Sequence, residues 1–181
     1  RSRNKGKTFE EISPDLSNGR KDGDVSYGTI SCISESKFEF GLIYAGTDDG
    51  NIQLTKNEGK TWSNISQKLP QHLWVRKIVA SEHKKERVYA LLNGHTWDHF
   101  NSYIYISEDY GTTWTQVGNN LPAECLNALK EDAITEDILY VGSDAGLYIS
   151  TDRGTSFQAF SNLPPVAIHD LAIQQEQRDL L

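Results

Sequence analysis

Two stretches carry side chains able to bind or react. Asn93-Gly94-His95-Thr96-Trp97-Asp98-His99-Phe100-Asn101-Ser102 gathers two histidines, a tryptophan, a phenylalanine and an aspartate within ten positions. Loops of this makeup commonly carry function. A Trp97 ring suits the face of a sugar, with His95, Asp98 and His99 bonding its hydroxyls. The plain alternative is that Trp97 and Phe100 cover an apolar gap while both histidines sit at the surface. His95, Asp98 and His99 are also metal-ligand types, but their spacing matches no ligand motif, so neither a metal nor a cofactor is assigned. The second stretch, residues 14–27, is a long polar connection containing Asp22 and Asp24. Glycoside hydrolysis needs two carboxylates, about 5 Å or about 6.5–9.5 Å apart. Asp22, Asp24, Asp48, Asp49 and Asp98 are the candidates for such a pair. Aspartates in Gly-rich loops are ordinarily turn formers, which is the simpler account of Asp22 and Asp24.

A third set comes from strands. Ile30-Ser31-Cys32-Ile33, Val75-Arg76-Lys77-Ile78, Leu126-Asn127-Ala128-Leu129 and Ile168-His169-Asp170-Leu171 align on apolar first and fourth positions. One column then reads Ser31, Arg76, Asn127 and His169. Stacked polar residues of this kind suit the lining of a channel, for a ligand or for water alone.

The elements that would position these residues follow from an internal repeat. Ser2-Arg3-Asn4-Lys5-Gly6-Lys7-Thr8-Phe9, Thr55-Lys56-Asn57-Glu58-Gly59-Lys60-Thr61-Trp62, Ser107-Glu108-Asp109-Tyr110-Gly111-Thr112-Thr113-Trp114 and Ser150-Thr151-Asp152-Arg153-Gly154-Thr155-Ser156-Phe157 align without gaps. Their starts lie 53, 52 and 43 residues apart. The residue types describe a hairpin turn. The glycines (Gly6, Gly59, Gly111, Gly154) permit positive φ. Asn4, Asn57, Asp109 and Asp152 accept turn N–H groups. Trp62, Trp114 and the two phenylalanines return a ring to the core. These residues are structural.

Each turn closes a pattern of four short strands rich in Ile, Val, Tyr and Leu, with no sustained helical period. Such units stack as the blades of an all-β propeller. The sequence divides into a blade edge at 1–12, antiparallel four-stranded blades at about 28–65, 75–117 and 126–160, and the start of another blade at 166–181. A closed ring needs at least about four blades, so this chain alone is expected not to close one. The remaining blades, on the same polypeptide or an associated one, are the first partner expected. The chain contains no Met and opens inside a repeat, so it is expected to be part of a longer polypeptide.

Net charge excludes some functions. At −7 the chain lacks the clustered cations that bind nucleic acid. No apolar run approaches the roughly 20 residues of a membrane-spanning helix. Cys32 and Cys125 fall two blades apart, so two buried free thiols are expected rather than a disulfide.

The repeated turns resemble the Asp-box, or bacterial neuraminidase repeat, family. Ile43-Tyr44-Ala45-Gly46-Thr47-Asp48-Asp49-Gly50 and Leu147-Tyr148-Ile149-Ser150-Thr151-Asp152-Arg153-Gly154 look like bacterial proteins described as glycosyl hydrolases with such repeats. That group is similar to the propellers of sortilin-type receptors and of xyloglucan-degrading enzymes. The resemblance implies a secreted, periplasmic or cell-surface setting, and ligands on the loop face or at the axis, remote from the turns. It does not choose an activity, since one design hosts enzymes, receptors and scaffolds. The Arg-Ile-Pro string and Arg triad of sialidases are missing. The first expectation is therefore a non-catalytic or scaffold segment binding glycan or protein through its loops, with His95, Trp97, Asp98, His99, Arg76, Asn127 and His169 as candidate contacts. The alternatives are part of a glycoside hydrolase acting on a polysaccharide, and a sortilin-like peptide binder.

Overall fold

Short β-branched and aromatic runs, bounded by Gly, Asn and Asp, form three antiparallel sheets of four strands in the computed structural model, which describes residues 1–19 and 28–174. The first sheet is β1 (Ile30–Glu35), β2 (Ile43–Thr47), β3 (Ile52–Thr55) and β4 (Ser63–Asn64). The second is β5 (Trp74–Ala80), β6 (Val88–Gly94), β7 (His99–Ser107) and β8 (Thr115–Val117). The third is β9 (Leu126–Glu131), β10 (Leu139–Ser143), β11 (Leu147–Ser150) and β12 (Gln158–Ala159). Strand order is sequential in each sheet, and β1, β5 and β9 are its inner strands. These are blades of a β-propeller, and they leave the ring open.

The core lies between sheets, not within one. Side chains alternate across a strand, and β6 shows the result. Val88, Ala90 and Leu92 pack with Tyr44, Ile52 and Val75 toward the first blade. Tyr89 and Leu91 pack with Leu126, Leu129 and Val141 toward the third. Each such fully buried Val or Leu stabilises by about 1.5–3 kcal/mol. A polar clasp joins the second and third blades as well. Glu131 is fully buried and accepts from Ser81 Oγ at 3.0 Å and Tyr89 Oη at 2.8 Å. Arg87 stands 3.7 Å away and is held by Glu108 and Glu136.

The eight-residue turns share one hydrogen-bond scheme. In the second blade Ser107 Oγ donates to Asp109 Oδ1 at 2.8 Å and accepts from Gly111 N at 2.7 Å. Asp109 Oδ1 also accepts from Thr113 N, and Oδ2 accepts from Thr113 Oγ1. Ser150, Asp152 and Ser156 repeat these bonds. Asn57 keeps the backbone bond and donates its amide to Thr61 Oγ1 at 2.8 Å. The turn glycines have φ of 82°, 92°, 84° and 84°. Every turn from the second onward reaches back to the unit before it. Trp62 Nε1 donates to Ile12 O at 2.9 Å and Trp114 Nε1 to Ile65 O at 2.8 Å. A methyl on Gly59 or Gly111 would overlap Ile12 or Ile65.

Several boundaries differ from the sequence reading. The fourth strands are shorter, because residues such as Thr61 and Thr113 are held by the turn instead of the ladder. The second hairpin is longer, because Gly94 pairs with His99 and carries β6 and β7 past the expected ends. At the first flank Arg1 and Glu10 exchange backbone bonds of 2.6 and 2.8 Å without forming a ladder. At the other flank Ile168 N donates to Ser143 O at 2.8 Å, and its side chain lies against Gly142. Cys32 and Cys125 are both free, and burial pushes the Cys32 thiol up to about 11.

The outer face of the first blade is uncovered. Ile33 is 64% exposed, while its register equivalents Ile78 and Leu129 are 3% and 1% exposed. Phe9 is 79% exposed and Phe157, its equivalent, 4%.

Candidate binding site

All three inner strands contain a β-bulge. Register shifts between Ile30 and Cys32 and between Val75 and Lys77, and β9 shifts opposite Gly142 and Ser143. The extra residues are Ser31, Arg76 and Asn127. A bulge re-aims one side chain out of the alternating pattern, so three of the four residues in the polar column read from the sequence are bulged residues. Ser31 turns inward, donating its hydroxyl 2.6 Å to Val75 O. Arg76 and Asn127 instead meet His169 at one cavity of about 240 Å³ between the second and third blades.

Trp74 and Arg76 form one half-buried wall, with the guanidinium carbon 5.0 Å from the Trp74 ring centroid. Asn93, Cys125 and Asn127 are the buried lining. His95, Thr96, Asp144 and His169 are its exposed members. Asn93 fixes the entrance. Its Nδ2 donates to Leu126 O at 3.2 Å, and its Oδ1 accepts from His95 N at 2.8 Å. Asn127 Nδ2 donates to Asp144 Oδ1 at 2.7 Å, and among the described residues the amide oxygen and the second carboxylate oxygen have no hydrogen-bond donor. Burial, reinforced by Asp144 and Glu124, raises the Cys125 thiol above its ordinary range, so it lines the cavity as a neutral group.

Four sequence candidates therefore converge: Arg76, His95, Asn127 and His169. The other three of their set stand apart. Residues 95–97 form a single 3-10 turn capped by Asp98 at φ 52°. His99 Nε2 pairs with Tyr103 Oη at 2.8 Å and Asn101 Nδ2 at 3.1 Å. Trp97 and Phe100 are 58% and 47% exposed. Two of the described carboxylate candidates, Asp48 and Asp49, serve structure. Asp48 accepts from Gly28 N, Thr29 N and Thr29 Oγ1 at 2.7–2.9 Å. Asp49 is buried between Thr47 Oγ1 and Asn18 N. Asp22 and Asp24 lie outside the described residues. Trp74, Asn93, Thr96, Cys125 and Asp144 complete the lining and were not among the candidate contacts. Asp144 follows Gly142-Ser143 as Asp48 follows Gly46-Thr47, the pattern of a turn, and nothing local in the sequence shows that Asn127 orients it. No group of three or more metal-ligating side chains occurs among the described residues.

No family model and no curated protein matches the chain. Solved structures do. The GH74 xyloglucanase of Xanthomonas campestris matches with a TM-score of 0.66 at 15% identity, over 82% of this chain and 26% of that one. YCF48 bound to D1 peptide matches at 0.61 and 15%, over 81% of this chain and 46% of that one. The β-propeller domain of Swd1 from Myceliophteria thermophila matches at 0.61 and 13%, over 85% and 48%. This chain thus spans about a quarter of the GH74 chain and under half of the other two. At these identities the likeness is one of fold: the chain is a partial β-propeller.

Proposed function

We propose that this chain is a non-catalytic binding segment of a larger Asp-box propeller protein, extracytoplasmic in setting, that takes glycan or protein through the loop face bearing the cavity. One observation carries the reading. Bulged residues from successive blades converge with unengaged hydrogen-bonding groups on one recess, and Asp144 is the one carboxylate lining it among the described residues. Hydrolysis of a glycosidic bond needs two. The four turns with a shared bond scheme support the Asp-box assignment. The exposed Ile33 and Phe9, whose equivalents are buried by a neighbouring sheet, support further blades as partners.

The test uses the full-length protein. Calorimetric titration with glycan oligomers and peptides should give saturable binding that Asn127→Ala weakens about tenfold, with no reducing ends released from xyloglucan or other β-glucans. Turnover that disappears on Asp144→Ala would replace the binding reading with the glycoside hydrolase one.

A further inference from the structure

Arginine usage in this molecule is uneven. Of the five described arginines, Arg1, Arg3, Arg87 and Arg153 are each ion-paired with Glu or Asp. Arg76 has no ion pair and no hydrogen bond among the described residues; it lies over Trp74 and lines the cavity. A guanidinium presents a planar fork of N–H donors that matches a carboxylate with two parallel bonds. Stacking on an indole leaves that fork free while fixing its plane. The neighbouring lining groups supply both donors and acceptors: the Thr96 hydroxyl and the His95 and His169 rings can do either, and the Asn127 amide oxygen and the second Asp144 oxygen accept. Vicinal sugar hydroxyls, each a donor and an acceptor, match such a set. An acidic amino-acid side chain brings an apolar stem in their place. The volume of about 240 Å³ is below that of drug-sized sites, which begin near about 300 Å³, and suits a single sugar unit. Beside it the Phe100 ring is 47% exposed and meets His95 edge-on at 5.7 Å, an apolar face for a neighbouring ring.

Building on the binding role above, we propose that the cavity holds one uronate unit of an acidic polysaccharide, with its carboxylate on Arg76 and its hydroxyls on Asn127, Asp144 and the two histidines. The site then selects acidic over neutral glycans by charge, and Arg76 is the residue that does so.

Titration of the full-length protein with a galacturonate tetramer, its carboxyl-reduced counterpart, a xyloglucan oligosaccharide and a Glu-rich peptide separates the possibilities. The tetramer should bind at least tenfold more tightly than its reduced form or the neutral oligosaccharide. Arg76→Ala should remove that preference, and Arg76→Lys should restore part of it. If an Arg76 variant fails to fold, the reduced tetramer removes the same contact from the ligand side. Equal binding of the acidic and reduced tetramers, or an unaltered preference in a folded Arg76→Ala, overturns the assignment. Binding of the neutral oligosaccharide or the peptide alone also overturns it, yet leaves the binding role standing. Binding of none of them ends both.

Discussion

At the scale of single residues, the four turns form a natural substitution series. Asn57 makes the same backbone bond as Asp109 and reverses the hydroxyl bond. Asp109→Asn should therefore change stability by about 1 kcal/mol or less, while Asp109→Ala, which strands Thr113 N and both hydroxyls, should cost about 1–2 kcal/mol in a urea melt. The aspartate turns also respond to acid. Hydrogen bonds from Ser156 hold the Asp152 carboxyl below its ordinary value. At Asp109 burial acts to raise it, but bonds from Thr113 and Ser107 prevail and it too is lowered. A depressed carboxyl contributes stability that is complete above the ordinary carboxylate range and fades as pH falls through the folded value. The double variant Asp109→Asn with Asp152→Asn should thus show a shallower loss of melting temperature below about pH 4. An unchanged acid limb would remove these two turns as its source.

Single elements bring in packing. A methyl on Gly111 would overlap Ile65 of the preceding unit, whereas one on Gly6 would meet only Phe9 Cζ at 3.9 Å, at nearly the same φ. Gly6→Ala carries the left-handed strain alone, about 1–2 kcal/mol. Gly111→Ala adds overpacking, and should be worse by a further 1–3 kcal/mol or so in the same melt. Glu131→Ala should cost about 3–5 kcal/mol, since it leaves Tyr89 Oη, Ser81 Oγ and Glu82 N without their acceptor in a buried site. The strands themselves were legible because each is a short apolar run between turn formers. The bulges were legible too, through a signal that sequence reasoning used only for alignment. Val75 and Ile78, or Leu126 and Leu129, are three apart and both buried, which strict alternation forbids and one extra residue allows. What spacing does not reveal is the side-chain company at the site. Trp74, Asn93 and Asp144 come from three elements, and only the packing of the second blade on the third unites them.

The whole molecule turns on the uncovered first blade. In the full-length protein Phe9 and Ile33 should be protected from hydroxyl-radical oxidation, with Phe100 modified readily as an internal standard. Oxidation of Phe9 as fast as that of Phe100 would show that no sheet covers this face. The repeat made the propeller readable from sequence, since four gapless turns at blade-length intervals admit few other arrangements. The ligand was not readable, because the same scaffold tolerates unrelated recesses in its loops.

The backward reach of the turns has a further implication. Trp62 and Trp114 each find their acceptor in residues made before them, and Gly59 and Gly111 press on the same earlier segments. Synthesis runs from the N terminus, so each newly emerged turn meets a docking place that already exists. The array has a grain, and growth along it proceeds with the grain: a ribosome could lay these sheets down one by one, each latching as it appears.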